Sequence, residues 1–348
     1  MALTRRGKQV IGGVAIAGVL GVGGLALSGN SPALQRAVDA VTDLAAPPPT
    51  CPLTGEETRD AAETPDRPLL AVKVENTEAA YPLVGLDRAD MVYEEVVEGG
   101  ITRFVVLFHC RDAGRVGPVR SARTTDPKIL SQFQQGPVLA YSGGAPKVVK
   151  SLVDAKVVQL TEANTSAAFT RDAARIAPHD LFTSTGALWR AALDLVEDPA
   201  IPSSIFDLDE ALPEGGRRAR SVSIVFSTLS STGWTWGGGV WTRQLEGAAM
   251  ALEGGVPITA DNVVVQSVEV SQDTIRDASG SFSPLVEMMG RGKAWVFRDG
   301  RVLAGTWERA SATDVTVFRT KTGDEIALAP GVTWVELVPT DGEVTIGQ

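Results

Sequence analysis

Apolar and polar residues alternate in two rhythms along this chain. Between residues 51 and 200, short strand-like runs are interleaved with helix-like ones. Leu69 to Val74, Met91 to Val97 and Ile101 to Cys110 are rich in β-branched and aromatic residues and read as strands. Pro127 to Phe133, Lys147 to Val153 and Thr185 to Val196 read as helices; in the last, Leu188, Ala191, Ala192 and Leu195 recur at helical spacing. From about residue 219 the pattern becomes nearly all strand: Ser221 to Phe226, Val263 to Val270, Lys293 to Arg298 and Thr333 to Val338, with turns such as Asp299-Gly300 between them. The Pro-, Asp- and Glu-rich stretch Asp198 to Arg218 marks a boundary. These patterns predict an α+β fold, with a mixed domain over 51–200 and a β-rich domain over 219–342.

The amino terminus has a different character. Val10 to Leu27 is a run of 18 uncharged, mostly apolar residues behind Arg5, Arg6 and Lys8. As a helix it would span roughly 27 Å, about the thickness of a bilayer core. Basic residues before it and almost none after it predict an inside amino terminus and an exported body. Residues 1–30 therefore read as a signal or membrane anchor. Residues 31–50, Ala-rich and ending in Pro47-Pro48-Pro49, read as a spacer.

The strands on either side of Gly99-Gly100 support a finer expectation. If those two glycines are the turn, Val96 faces Arg103 and Glu94 faces Val105, so Glu94, Glu98 and Arg103 share one face. Both faces of this hairpin are apolar, which predicts a central position covered on both sides. A guanidinium among buried apolar residues must be compensated. One reading is a closed ionic cluster that fixes strand register; the other is the floor of a pocket for a polar ligand.

Composition narrows the partners. The chain of 348 residues carries a net charge of −10; without residues 1–30 it has 29 basic against 42 acidic residues, or −13. Such a body is poorly suited to nucleic acid, and no nucleic-acid-binding motif is present. Within it, residues 101–128 are locally +4, and Arg120, Ser121 and Arg123 lie in a loop leading into a predicted helix, an arrangement suited to cradling an anion. Tyr141-Ser142-Gly143-Gly144 lacks the order of a nucleophile elbow. The two histidines, His109 and His179, offer little to a metal; His109 reads as a core or edge residue and His179 as a hydrogen-bonding residue near a pocket. No cofactor is expected. Six of the seven tryptophans follow residue 230 and serve either as a β-core or, if exposed, as sugar-stacking platforms. In an oxidising compartment Cys51 and Cys110 are free to pair across a loop of about 60 residues; the alternative is two unbonded thiols.

Taken in order, several motifs resemble the YerB-like family of bacterial envelope lipoproteins. They are Ala71-Val72-Lys73-Val74-Glu75-Asn76, Gly85-Leu86-Asp87-Arg88-Ala89-Asp90, Glu98-Gly99-Gly100-Ile101-Thr102-Arg103-Phe104 and Gly117-Pro118-Val119-Arg120-Ser121-Ala122-Arg123. Tyr141-Ser142-Gly143-Gly144, His179-Asp180, Ala294 to Gly300 and Gly305-Thr306-Trp307 continue the match, which covers about residues 51–340. The resemblance implies an α+β body, layered as a β-β-α sandwich, made of two named parts of unknown function. It supplies no catalytic residues. The lipid-acceptor cysteine of such lipoproteins is missing, since Leu27-Ser28-Gly29 leads into Asn30.

The function expected from these readings is non-catalytic. The body is held outside the membrane and binds a cell-wall glycan or an envelope protein through a polar cleft. Its candidate residues are Asn76, Glu94, Glu98, Arg103, Arg120, Ser121, Arg123, Tyr141, Ser142 and His179. The rival expectations are a wall-acting hydrolase using Glu94 and Glu98 as its carboxylate pair, and a scaffold for a membrane enzyme.

Overall fold

The computed structural model describes residues 49–58, 65–133, 136–196, 201–211, 214–276 and 280–348. The expected membrane segment, residues 1–30, and nearly all of the spacer lie outside the described residues.

Three apolar runs, each interrupted by charged residues, form the centre of the fold: β1 (Leu70–Asn76), β2 (Met91–Val96) and β3 (Thr102–Phe108). Runs of this kind are stable only where both faces are covered, and nearly every residue in them is buried. β3 lies between β1 and β2 and is antiparallel to both. β1 continues in parallel to β4 (Val138–Ala140) and then β5 (Val158–Leu160). On its other side β2 runs parallel to Thr333–Pro339, which in turn is parallel to Asn262–Val268. Strands Gly290–Arg298, Arg301–Arg309 and Val317–Thr320 extend the sheet, and Arg217–Arg218 adds a short pairing, giving eleven strands. One sheet thus runs through both halves of the chain. The fold is α+β with strands dominant.

Among the described residues the α-helices are few: α1 (Asp126–Leu130), α2 (Pro146–Asp154) and α3 (Thr185–Leu193). α2 carries the chain from β4 to the parallel β5, the crossover that parallel pairing requires. A six-stranded antiparallel sheet, which includes Ser221–Ser227, Ser230–Gly237 and Val240–Leu245, meets one face of the large sheet. Aromatic rings mark the contact. Trp334 lies 5.3 Å from Phe104 and 5.2 Å from Trp234, both edge-on. Such pairs each contribute about 0.5–1.5 kcal/mol beyond the area they bury. Trp234, Trp241, Trp307 and Trp334 are core residues. Over the opposite face lies a separate hairpin, Val270–Arg276 with Phe282–Val286. It is tied to the helices through Lys147 Nζ to Asp273 Oδ1, 2.7 Å, and Lys128 Nζ to the Val286 carbonyl, 2.5 Å.

The β2–β3 turn differs from the expected two-residue form. Glu98, Gly99 and Gly100 form a short 3-10 turn, and both glycines hold positive φ, +75° and +77°. Val96 therefore faces Thr102, Glu95 faces Arg103 and Glu94 faces Phe104. One extra turn residue exchanges the faces of every side chain relative to its partner strand. The expectation that Arg103 shares a face with Glu94 is thereby corrected; Arg103 shares one with Glu95 and, across β1, with Glu75 and Lys73.

Candidate functional site

The basic segment after β3 is held against the sheet by its backbone. Glu75 N–H donates to the Pro118 carbonyl at 3.0 Å and Arg120 N–H to the Lys73 carbonyl at 2.8 Å; on the other side Ser142 N–H donates to the Arg120 carbonyl and Ala122 N–H to the Gly143 carbonyl. Entry into this track needs Gly117, which has φ +147° and would set a Cβ 2.9 Å from the Phe182 ring. So held, Arg120, Ser121 and Arg123 join Arg103 and Glu98 around a cavity of about 380 Å³. Val148 of α2 and Ile275, Arg276 and Ser283 of the covering hairpin also line it.

The charges in this cavity do not cancel. Glu98 accepts from Arg123 Nε at 2.6 Å and from the Ser283 hydroxyl. Glu75 lies 3.4 Å from Arg120 Nε and also binds Thr77 Oγ1 at 2.9 Å and His179 Nδ1 at 2.8 Å. Arg120 and Arg123 are therefore paired, and Arg276, the fourth arginine of the lining, stacks on Phe282 and donates to the Gly280 carbonyl. Arg103, only 7% exposed, has no carboxylate within ion-pair distance among the described residues. One long hydrogen bond, 3.4 Å to the Ser121 carbonyl, is its contact, and its Nε is sealed without an acceptor. Burial, and then Arg123 and Arg120, push its guanidinium down to about 10, against the opposing pull of Glu98 and Glu75. A cation desolvated beside two other cations attracts an anion.

The remaining predicted residues are placed around this cavity or away from it. His179 stands behind the site, oriented by Glu75. Ser142 accepts the Ser121 hydroxyl through its carbonyl at 2.9 Å, and Tyr141 donates to Gln159 Oε1 at 2.7 Å. Asn76 and Glu94 lie on the opposite face of the sheet. There Glu94 accepts from Thr102 Oγ1 at 2.6 Å and Asn76 Nδ2 at 3.1 Å, and pairs with Arg243 at 2.7 Å. Arg243 also reaches Glu336 at 3.2 Å, and Trp234 Nε1 donates to the same carboxylate at 2.8 Å. Burial, and the adjacent Glu94, push the Glu336 carboxyl well above its usual range. Phe104, Trp234 and Trp334 surround the Arg243 guanidinium. This network is closed. The expected carboxylate pair of a hydrolase is therefore absent as drawn, because Glu94 faces the six-stranded sheet while Glu98 faces the covering hairpin.

A second expectation also changes. The amino end of α1, expected to cradle an anion, carries a carboxylate of its own: Asp126, its first residue, accepts through Oδ2 the Arg123 N–H that precedes the helix, at 2.6 Å. Its other oxygen binds Lys73 Nζ at 2.7 Å, and Lys73 also pairs with Glu95, which burial pushes up to about 7. The helix start that borders the cavity is that of α2, through Gly144, Ala145 and Val148. Sequence reasoning missed Arg243, Glu336, Ser283 and the α2 wall. Glu336 alone left a signal, an acid within the apolar run Trp334-Val335-Glu336-Leu337-Val338.

Cys51 and Cys110 form a disulfide, with Cα atoms 5.9 Å apart. Both cysteines of the chain are thus used, and neither thiol is free to carry lipid. His109 is buried, with Nε2 3.1 Å from the Arg67 carbonyl; burial lowers it to about 4, so it is neutral at ordinary pH.

Two family domains match the chain. The N-terminal domain of a protein of unknown function, DUF3048, matches residues 53–196, and its C-terminal domain matches residues 222–335. The chain belongs to the DUF3048 family. Among relatives, YerB of Bacillus subtilis (strain 168), whose name marks it as a candidate lipoprotein, is 28% identical over 304 residues, 83% of this chain and 86% of YerB. The crystal structure of the YerB protein superposes with a TM-score of 0.70 at 23% identity, over 85% of this chain and 99% of that one. The YerB-like resemblance read from the motifs holds, and the DUF3048 fold is shared. In this DUF3048 protein the cavity draws on both matched segments: Arg103, Arg120 and Arg123 from the first, Ile275 and Ser283 from the second.

Proposed function

We propose that this protein is a non-catalytic, extracytoplasmic, membrane-associated binding protein that holds an anionic component of the cell envelope in the Arg103 cavity. The observation that carries the reading is Arg103 itself. It is a guanidinium almost wholly removed from water, beside two further arginines and without a carboxylate of its own among the described residues. Burying such a group costs several kcal/mol unless it is compensated, so an anion entering the cavity gains what the fold leaves unmet. The location is supported by the basic, apolar amino terminus, by the lipoprotein name of YerB and by a disulfide suited to an oxidising compartment. The family layering as a β-β-α sandwich belongs to the same reading, with the cavity between the large sheet and its covering hairpin.

Titration of the full chain with solubilised wall fragments and anionic sugars, followed calorimetrically, tests the reading. Saturable binding that disappears in Arg103→Leu is expected. Binding that is unchanged in that variant would place the ligand elsewhere and overturn it.

A further inference from the structure

We infer that the anion taken by the Arg103 cavity is a phosphate ester; the inference rests on the reading above that the cavity binds an anion. A carboxylate presents two oxygens in one plane and is met by a single two-pronged guanidinium. A phosphate ester presents a tetrahedron of oxygens and takes donors from several directions. The cavity offers several directions. Arg103 comes from the floor of the sheet, and Arg120 and Arg123 come from the strap that crosses it.

The first turn of α2 supplies a further set of donors. Its cap residue, Ala145, has no side-chain oxygen, and no side-chain cap is made. The N–H groups of Lys147 and Val148 have no acceptor within the helix, and Gly144, Ala145 and Val148 border the cavity. A helix start left open beside arginines is a phosphate site in physical terms, since its N–H groups and dipole favour concentrated negative charge. The start of α2 is left for a ligand, and the independent sign of one is Arg103, which lines the cavity at 7% exposure with no ion-pair partner among the described residues.

The other walls describe what the phosphate is attached to. Glu98 and Ser283 offer acceptors and a hydroxyl, and Val148 and Ile275 an apolar strip. At about 380 Å³ the space is at the small end of ligand pockets. A single phosphorylated polyol unit fits that description.

Isothermal titration calorimetry of the full chain with glucose 1-phosphate, glycerol 3-phosphate, glucuronate and glucose tests the inference, alongside sedimentation with phosphatidylglycerol and phosphatidylcholine vesicles. Phosphate esters are expected to bind at least tenfold more tightly than glucuronate, and Arg103→Leu to abolish the binding. Ala145→Asp, which places a carboxylate at the start of α2, is expected to weaken the esters at least tenfold with no loss of thermal stability. Binding of the soluble esters identifies a phosphate on a sugar or polyol, whereas Arg103-dependent binding confined to anionic vesicles identifies a lipid headgroup; either supports the phosphate assignment. Glucuronate binding as tightly as the esters, or ester binding indifferent to Ala145→Asp, overturns that assignment and leaves the anion reading standing. If no anion binds, both fail.

Discussion

Glu94 and Glu336 stand opposite each other on parallel strands, and one guanidinium, that of Arg243, serves both. Two carboxylates and one cation leave the cluster one negative charge in excess. Protonation of Glu336 removes it, which is the direction in which burial and Glu94 push that group.

Removing the charge from Glu336 should therefore cost little. Glu336→Gln is expected to change unfolding free energy by less than about 1 kcal/mol at pH 7, because it mimics the protonated acid. Arg243→Met strands the buried Glu94 carboxylate and is expected to cost about 3–5 kcal/mol. Urea denaturation of both variants checks the pair; equal losses would refute the protonated assignment.

Asp90 predicts a pH effect. Burial raises its carboxyl from 3.8 to about 6, although His109 and Cys110 N–H groups bond to it. The folded state thus holds its proton more tightly than the unfolded state. The stabilisation is full below about pH 4 and is lost as pH rises through about 6. A shift of about two units corresponds to about 3 kcal/mol. The stability of the native protein relative to Asp90→Asn should fall by that order across this window and stay level above pH 7. His109, lowered to about 4, acts in the opposite sense but is common to both proteins and drops out of the difference.

The disulfide should matter more than any surface contact. Cys51 and Cys110 are separated by 59 positions, and closing such a loop contributes about 4 kcal/mol on the chain-entropy model. A Cys51→Ser, Cys110→Ser double variant is expected to unfold at a markedly lower temperature, with the native protein matching it only under reducing conditions.

Arg103 offers the sharpest separation of stability from function. If its role is to bind, then Arg103→Leu removes a desolvated charge and should leave the fold as stable or about 1 kcal/mol more so. If its role were structural, the same change would cost several kcal/mol. Thermal unfolding of the variant decides between these.

Much of the architecture could be read along the chain, and the reason is local. Leu70–Asn76, Thr102–Phe108 and Thr333–Pro339 are runs of apolar and β-branched residues, and α3 is amphipathic with Ser184 as its cap. The faces of the central hairpin could not be read. A two-residue and a three-residue turn are both compatible with Glu98-Gly99-Gly100, and the choice moves Glu94 from the cavity side to the sealed side. Arg103, Arg120 and Arg123 stood out because charge in an apolar or acidic setting is visible in one dimension. Ile275 and Ser283 did not, since they reach the site only through pairings more than a hundred residues apart, which leave no periodic trace.

The parallel seating of Thr333–Pro339 between β2 and Asn262–Val268 has a consequence for how the molecule comes into being. As synthesis proceeds from the amino end, both neighbours await a partner made after them. A stop codon at Thr333 would spare every arginine of the cavity, yet leave two raw β-edges in the middle of the body, open to any passing strand. Chains cut there are expected to be cleared or to clump, so a stop at Thr333 should behave genetically like loss of the whole gene.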